Sequence, residues 1–298
     1  MRTIQTFLIA ALLVGRADAA TILVTQSSGA SLQDAIDAAA PGDKILVDGA
    51  FAEAIVIDKP LTLRGARGVG NVVPGCGEVA GIDVQADGVR IERMVVFGGT
   101  TTNIRIVGRD DVLLRQVFLE ANAFAGGCPA PSQRGVDLVN STNVLLKAVE
   151  ASGSLGEDPF GEAFIRIAEI PVDGGVKVTR CFQNYPSPVG ILVEASDDTA
   201  GVPWRGRVGV RLLGNRIVSA ETGIELRDST GVVVQANHVG GAPGPSGVGI
   251  HLDSDSTGNL VRRNRLGNNP IDLEIDGAGN CVERNLIDGV PQPGAPCS

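Results

Sequence analysis

The chain has 298 residues, a formal net charge of −9 and a sequence pI of about 4.8. This acidic balance argues against nucleic acid and anionic membranes as partners. Forty glycines and only 3% aromatic residues are unusual for an α/β enzyme, and they suit many short strands joined by tight turns.

The first 19 residues have the pattern of a secretory signal peptide. Arg2 supplies a positive start, FLIAALLVG (7–15) an apolar segment, and Ala17-Asp18-Ala19 a cleavage signal. The apolar segment is too short to cross a bilayer as a helix, and no later part of the sequence has a transmembrane run. We therefore predict a secreted or periplasmic protein with one mature domain at 20–298.

A helix is predicted at 31–40, where Leu32, Ala35, Ile36 and Ala39 recur at helical spacing. Ser31 suits the N-cap, and Pro41-Gly42 suits the end of the helix. The open end of a sheet invites aggregation unless another element covers it. We predict that this helix covers the first coil of the repeat that follows.

A short apolar phrase recurs along the rest of the chain, and each occurrence from Ile82 onward is followed by a second and a third one. The first phrases are AIVI at Ile55, GIDV at Ile82, NIRI at Ile104, GVDL at Val136, FIRI at Ile165, GILV at Ile191, GIEL at Ile224, GIHL at Ile250 and PIDL at Ile271. The second phrases include GVRIERM (88–94), GVKVTRC (175–181), GVRLLGN (209–215), GNLVRRN (258–264) and GNCVERN (279–285).

Three short strands per repeat, stacked in register, predict an all-β fold, a single-stranded right-handed parallel β-helix of about nine coils. Each coil buries its apolar positions against its neighbours only. The second phrase ends in Asn in the later repeats, namely Asn215, Asn237, Asn264 and Asn285. We predict a structural ladder in which these Asn side chains bond to one another and occupy a left-handed corner.

Five cysteines lie after the leader, where an oxidising compartment permits disulfides, and the odd number leaves at least one without an intrachain partner. Cys297 can tie the C-terminal end (281–298) to Cys281, and Cys76 and Cys128 could meet through their loops. Cys181 is in line with the Asn ladder, which favours a buried free thiol. Two His, two Met and no C-x-x-C supply a copper or zinc site poorly, so we predict no such metal site.

The segment SLQDAIDAAAPGDKILVDGAFAEAIVIDKPLTLRG (31–65) resembles the opening of secreted proteins of the pectin-lyase-like superfamily. The resemblance covers almost all of the mature chain and implies the right-handed parallel β-helix. It also implies that an active site, if there is one, lies on the outer face of the first strand of each coil. The QDTL, DFIFG and LGRPW motifs of pectin methylesterases and the N-T-D, D-D and G-H-G set of polygalacturonases are absent. GIHLDSD resembles the D-P-H motif of alginate epimerases only weakly, because it lacks the Pro and the order of that motif.

We call the outward positions of the first strands the charged stripe. By the phrase alignment, its first row is Asp83, Arg105, Asp137, Arg166, Leu192, Glu225, His251 and Asp272, and its second row is Gln85, Val107, Val139, Ala168, Glu194, Arg227, Asp253 and Glu274. One interpretation is purely structural, with ion pairs between coils that hold the register.

The other interpretation of the stripe is catalytic. Glu225, Arg227, His251, Asp253 and Asp272 provide the base, cation and acid that a polysaccharide lyase, hydrolase or epimerase needs. The one cofactor that these carboxylates suggest is calcium, which the oxygen ligands of Asp253, Asp255, Asp272 and Glu274 could bind.

Long loops flank the same face and bring scarce aromatic rings to it. Together with the stripe they give a candidate ligand groove of Arg166, Tyr185, Glu194, Trp204 and Arg205. His238, on another face, is predicted to face solvent.

Two functional hypotheses follow. The first is an exported scaffold or glycan-binding protein, with an extracellular or periplasmic polysaccharide as partner. The second is an enzyme that acts on polysaccharides through the charged stripe.

Overall fold

The structure is a computed structural model that describes residues 19–66, 70–72, 78–120, 133–151, 160–171, 174–196, 209–242 and 245–292. The predicted signal peptide lies almost entirely outside this part. In the described part of the chain, no helix combines the length and the apolar character that crossing a membrane requires.

Strands make up most of the described residues. In chain order they are β1 (Thr21–Thr25), β2 (Lys44–Asp48), β3 (Ala50–Phe51), β4 (Ile55–Ile57), β5 (Thr62–Gly65), β6 (Gly70–Val72), β7 (Ala80–Val84), β8 (Arg90–Glu92), β9 (Met94–Phe97), β10 (Thr102–Val107), β11 (Leu113–Glu120), β12 (Arg134–Val139), β13 (Leu145–Ala151) and β14 (Ala163–Ala168). They continue with β15 (Val176–Thr179), β16 (Phe182–Glu194), β17 (Val210–Leu213), β18 (Arg216–Arg227), β19 (Val233–Gln235), β20 (His238–Gly240), β21 (Val248–Leu252), β22 (Leu260–Arg262), β23 (Arg265–Gly267), β24 (Ile271–Ile275), β25 (Cys281–Glu283), β26 (Leu286–Ile287) and β27 (Val290–Pro291).

The strands stack into three parallel faces. Face 1 runs through β4, β7, β10, β12, β14, the second halves of β16 and β18, β21 and β24. Face 2 runs through β1, β2, β5, β8, the first halves of β11 and β13, β15, β17, β19, β22 and β25. Face 3 runs through β3, β6, β9, the second halves of β11 and β13, the first halves of β16 and β18, β20, β23 and β26.

This topology is the right-handed parallel β-helix that the sequence predicts. Each coil passes once through the three faces and pairs with the coils before and after it. Alternate residues point inward, so Ile82, Ile104 and Val136 stack in register on face 1 and are fully buried. One continuous apolar core therefore runs along the axis of the coils.

The N-terminal helix α1 (Leu32–Ala38) packs against β1, β2 and β4, and its buried residues are Leu32 and Ile36. Ser31 is the N-cap, and its Oγ accepts a hydrogen bond from the Asp34 N–H at 3.1 Å. The carboxylate of Glu53 also accepts from the Leu32 N–H at 2.6 Å. Negative charge at a helix N-terminus is favourable, so Glu53 anchors the helix to the turn between β3 and β4.

The corner between face 2 and face 3 is made by one residue in the left-handed conformation, with φ between 52° and 63°. These residues are Arg93, Gln116, Ala148, Arg180, Gly214, Ala236, Arg263 and Arg284. Each of the four ladder Asn residues is the next residue along the chain. The expectation that the Asn themselves take the left-handed conformation is therefore wrong, because the preceding residue makes the turn and leaves the Asn pointing inward.

The four Asn side chains form a buried ladder. The Nδ2 of Asn215 donates to Oδ1 of Asn237 at 3.0 Å, and the same contact links Asn237 to Asn264 and Asn264 to Asn285 at 3.0 Å each. Each accepting Oδ1 also receives the backbone N–H of the Asn one coil before it, at 2.9 Å. The amides thereby satisfy one another and the polypeptide backbone inside an apolar core.

Cys181 begins the ladder. It is the free cysteine of the described residues, it is 1% exposed, and its N–H donates to Oδ1 of Asn215 at 3.0 Å. Burial raises the pKa of the Cys181 thiol to about 12, so the thiol stays neutral. Cys281 is also buried. Cys76, Cys128 and Cys297 lie outside the described residues, so both disulfides stay predictions.

Candidate functional site: the charged outer face

The register of face 1 changes the composition of the charged stripe at its C-terminal end. From Asp83 to His251 the first row is aligned as the phrases predict. In the last coil, however, Glu274 pairs with His251, and Leu273 pairs with Ile250. The phrase PIDL is therefore displaced by two residues, which takes Asp272 out of the stripe.

Asp276 takes part in the stripe where Glu274 was expected. Its Oδ2 lies 3.6 Å from Nε2 of His251. Asp272 instead accepts a hydrogen bond from Nδ2 of Asn269 at 2.8 Å. The predicted register that places Asp272 beside His251 is wrong, because the strand begins with an additional pair of residues that the apolar pattern does not reveal. A catalytic role of Asp272 stays a prediction.

Arg166 lies at the centre of an ion-pair network in the middle of the stripe. Its Nη1 donates to Oδ1 of Asp137 at 2.9 Å, and its Nε donates to Oε1 of Glu194 at 2.7 Å. The same Asp137 receives Nη1 of Arg134 on its other oxygen at 3.1 Å. Arg134 also binds Glu162, with Nε to Oε2 at 2.7 Å. Three coils are thus joined by alternating carboxylates and guanidinium groups.

Burial makes this network rigid. Asp137 is 6% exposed, and two arginines occupy both of its oxygens. Partial burial acts to lower the pKa of Arg166, but hydrogen bonds to Asp137 and Glu194 outweigh it and raise the pKa above its ordinary value. Arg166 therefore stays charged and acts as a fixed hydrogen-bond donor rather than as a proton-transfer group.

The C-terminal part of the stripe contains Glu225, Arg227 and His251. Arg227 holds Glu225 in a bidentate pair, with Nε to Oε1 at 2.8 Å and Nη2 to Oε2 at 2.9 Å. The hydrogen bonds to Glu225 raise the pKa of Arg227. Nδ1 of His251 lies 3.5 Å from Oε1 of Glu225. Since Asp276 flanks the other ring nitrogen, the imidazole stands between two carboxylates with about a quarter of its side chain exposed.

The apolar residue Leu192 separates the ion-pair network around Arg166 from the charged cluster around Glu225. Leu192 occupies the first row between Arg166 and Glu225. It is fully buried and forms, with Ala163 and Val189, an apolar cluster separate from the main core. The outer face of the β-helix is therefore shielded from solvent at Leu192.

Asp253 takes no part in the charge network. Its Oδ1 accepts from the Ser256 N–H at 2.9 Å, and its two oxygens accept from the Asp228 N–H at 3.2 Å each. These bonds close the turn after β21. Asp253 therefore has a structural role in this turn, and its catalytic role stays a prediction.

The four carboxylates suggested for calcium do not converge. Among the described residues, no group of three or more His, Cys, Asp or Glu side chains is placed to hold a metal ion. Glu274 pairs with His251 on the stripe, whereas Asp253 and Asp272 bind local N–H groups.

Of the suggested ligand-binding residues, Arg166 and Glu194 are in direct contact on face 1. Trp204 and Arg205 lie outside the described residues, as does the side chain of Tyr185. Their contribution to a ligand groove stays a prediction.

Several polar residues of structural importance were missed in the sequence. Arg134 precedes Val136 by two residues and Glu162 precedes Ile165 by three, in positions where the alternating pattern was not followed. A second amide pair, Asn259 and Asn280, also lies in the interior, with Nδ2 to Oδ1 at 3.0 Å. The Gly-Asn dipeptide that begins both GNLVRRN and GNCVERN was the available signal for this pair.

The stacked parallel coils define the class of the protein, which is a right-handed parallel β-helix.

Comparisons with known proteins add the following similarities. Residues 189–285 match the family model described as "Periplasmic copper-binding protein (NosD)". No curated protein matches the chain. An alginate lyase from Paenibacillus sp. str. FPU-7 is similar in structure at 14% identity and a TM-score of 0.49, over 90% of this chain and 95% of the other.

Two further solved structures are similar at the same level. The A-module of the mannuronan C-5 epimerase AlgE4 from Azotobacter vinelandii has 10% identity and a TM-score of 0.48, over 86% of this chain and 82% of the other. A GH136 lacto-N-biosidase from Eubacterium ramulus has 11% identity and a TM-score of 0.48, over 90% of this chain and 58% of the other.

The described residues do not fit a copper site of the kind that the family description implies. Soft sulfur and imidazole ligands would have to converge. Met94 and Cys181 are buried in the core, at 0% and 1% exposure. His251 lies on face 1 and His238 on face 3.

Proposed function

We propose that the chain is an exported β-helix protein that binds a polysaccharide along the charged stripe of face 1. The observation that carries this proposal is a pair of ion-pair clusters on consecutive coils, Asp137 with Arg166 and Glu194, and Glu225 with Arg227, in which hydrogen bonds fix the charged groups in place. Fixed donors and acceptors bind a ligand at a lower entropic cost than mobile ones.

The chemistry of the stripe favours a neutral glycan. Each guanidinium group described above is already matched by carboxylates, so an anionic chain would have to compete with Glu194 or Glu225. Sugar hydroxyls both donate and accept hydrogen bonds, and they can bind to the remaining lone pairs and N–H groups of such pairs. The predicted leader and the periplasmic family model support an extracytoplasmic location for this binding.

The test is a binding screen of the purified protein against neutral and uronate-containing polysaccharides, by affinity electrophoresis and calorimetry. Glu194→Gln keeps the shape of the side chain and removes its charge. Arg211→Ala, an exposed arginine on face 2, is the control. We expect a neutral glycan to bind, and its affinity to fall at least about tenfold in Glu194→Gln while it is unchanged in Arg211→Ala. Absence of binding to every glycan, or equal affinity of all three proteins, would overturn the proposal.

A second candidate function is glycan turnover with His251 as the proton-transfer group. The position of the imidazole between Glu225 and Asp276, at 3.5 and 3.6 Å, favours this role, because a partly exposed base beside carboxylates is what proton abstraction or leaving-group protonation requires. Unsaturated products and new reducing ends would be followed for the parent and His251→Ala. Turnover that persists in His251→Ala, or no turnover in the parent, would rule this candidate out.

A further inference from the structure

Two arginines and a histidine line up on face 3, away from the charged stripe. Arg216 pairs in register with His238, and His238 pairs with Arg265. All three are exposed, and neighbouring strands place them about 4.8 Å apart along the axis. We call Arg216, His238 and Arg265 the cation row.

The cation row differs from face 1 in its ion pairing. Within the described ranges, none of its members forms an ion pair, whereas the neighbouring Arg262 on face 2 pairs with Glu283 at 3.6 Å. The guanidinium group of Arg216 lies over the ring of Phe182, at 5.4 Å from its centroid.

His238 shows the effect of this unbalanced charge. Partial burial lowers its pKa, and the positive charges of Arg265 and Arg216 lower it further. The two arginines thus act on the imidazole from both neighbouring coils, and the side chain is kept neutral in their presence.

More positive charge lies at the corner beside the row. Arg180, Arg263 and Arg284 occupy left-handed corner positions and are exposed. Each of them precedes the buried residue that leads into face 3. Five arginines and one histidine therefore surround one edge of a protein whose overall charge is −9.

A groove of about 300 Å³ adjoins the row and is lined by His238, Arg265, Gly267, Asn268 and Asp288 among others. Gly240 and Gly267 pair in register next to the row and have no side chains of their own, and the carboxylate of Asp288 lies beside Gly267. Asp288 is the acidic residue of the lining, and its Oδ1 accepts from the Asn268 N–H at 3.3 Å.

We propose that the cation row and its groove bind a linear anionic polysaccharide, whose oxyanions contact Arg216 and Arg265 two coils apart. Two exposed guanidinium groups beside an open groove, with the neutral His238 between them, suit a chain that lies along the axis of the β-helix. The proposal concerns a different face from the charged stripe and does not depend on the function proposed for that stripe.

A carboxylated or sulfated polysaccharide is favoured over nucleic acid. Proteins that bind single-stranded nucleic acid stack its bases on aromatic rings. The ring that lies at the row, Phe182, is covered by Arg216. The net negative charge of the chain also opposes the binding of duplex DNA.

Binding of polygalacturonate, heparin, dextran and a single-stranded DNA oligonucleotide to the purified protein tests the proposal. The variant is Arg216→Ala/Arg265→Ala. Its matched control is Lys177→Ala/Arg211→Ala, which removes the same charge from two exposed residues that pair in register on face 2. Arg265→Ala alone is a second test variant, since it leaves the contact between Arg216 and Phe182 intact.

We expect polygalacturonate or heparin to bind, dextran not to bind at this face, and the row variant to lose about tenfold in affinity with a shallower salt dependence. The control should lose less than about twofold, and the pKa of His238, followed by NMR, should rise when the polyanion binds. Equal losses in the control, no binding of either polyanion, or preferential binding of the DNA would each overturn the assignment.

Discussion

Arg227 covers the carboxylate of Glu225 with two parallel hydrogen bonds, and this pair sets the position of the one histidine on face 1. Glu225 is 7% exposed, so its charge is stable there because the guanidinium group compensates for lost hydration. His251 contacts the same carboxylate from the next coil.

Replacement of Arg227 by alanine should destabilise the fold because it leaves the carboxylate of Glu225 largely buried without its partner. We expect a loss of about 1–2 kcal/mol, less than for a fully buried pair since nearly half of the Arg227 side chain is exposed. Urea unfolding followed by circular dichroism measures it. In a Glu225→Gln background the same change should cost well under that amount, and equal losses in both backgrounds would show that the pair is not the cause.

Asn237→Ala should lower the stability of the fold more than Arg227→Ala does, because the Asn237 side chain lies inside the buried Asn ladder. It accepts from the N–H and Nδ2 of Asn215 and donates to Leu212 O and Oδ1 of Asn264. Its loss leaves buried donors unpaired, at about 1–3 kcal/mol in addition to the lost bonds. Thermal unfolding should show a decrease of several degrees in Tm, whereas Asn184→Ala, an exposed control on β16, should leave Tm unchanged. A Tm of Asn237→Ala close to that of the parent would mean that water replaces the ladder.

The left-handed corner leads to two predictions in which the stability of the protein changes in opposite directions. Ala236 has φ of 56°, and Gly214, the corner residue one coil before it, has φ of 63° with no atom within 4 Å of an added Cβ. Ala236→Gly should therefore stabilise the protein by about 0.5–1 kcal/mol, and Gly214→Ala should destabilise it by about 1 kcal/mol. Chemical denaturation of both variants tests the prediction, which fails if the two changes have the same sign.

His238 should make stability depend on pH. Its pKa in the folded protein is lowered, so between that value and the unfolded value of about 6.5 the unfolded chain binds the proton more readily. Stability should therefore fall as the pH decreases through this window. Arg265→Ala removes a like charge and should raise the pKa of His238, which NMR titration would detect, and it should reduce the pH dependence. An unchanged titration curve would mean that the two side chains do not interact.

Much of the fold could be predicted from particular residues. Eight of the nine apolar phrases, from Ile55 to Ile250, have the register that the sequence indicates, because only the inward positions of a coil must be apolar and they repeat at fixed distances from each turn. The ninth failed because β24 lies at the last coil of face 1. Ile271 is exposed there, so an apolar side chain at that position does not mark the core.

The sequence by itself determined the three-strand coil, the inward Asn positions and the alternation that places charges outside, since these follow from a period of two along each strand and from the repeat. Only the tertiary structure decided which charges meet. Asp137 joins Arg134 and Arg166, Glu274 takes the place of Asp272 beside His251 while Asp276 contacts the imidazole, and the cation row forms on face 3. Apart from the contact between Arg134 and Asp137, these contacts connect residues 20–30 positions apart, and a difference of two residues in one turn is enough to change the partners.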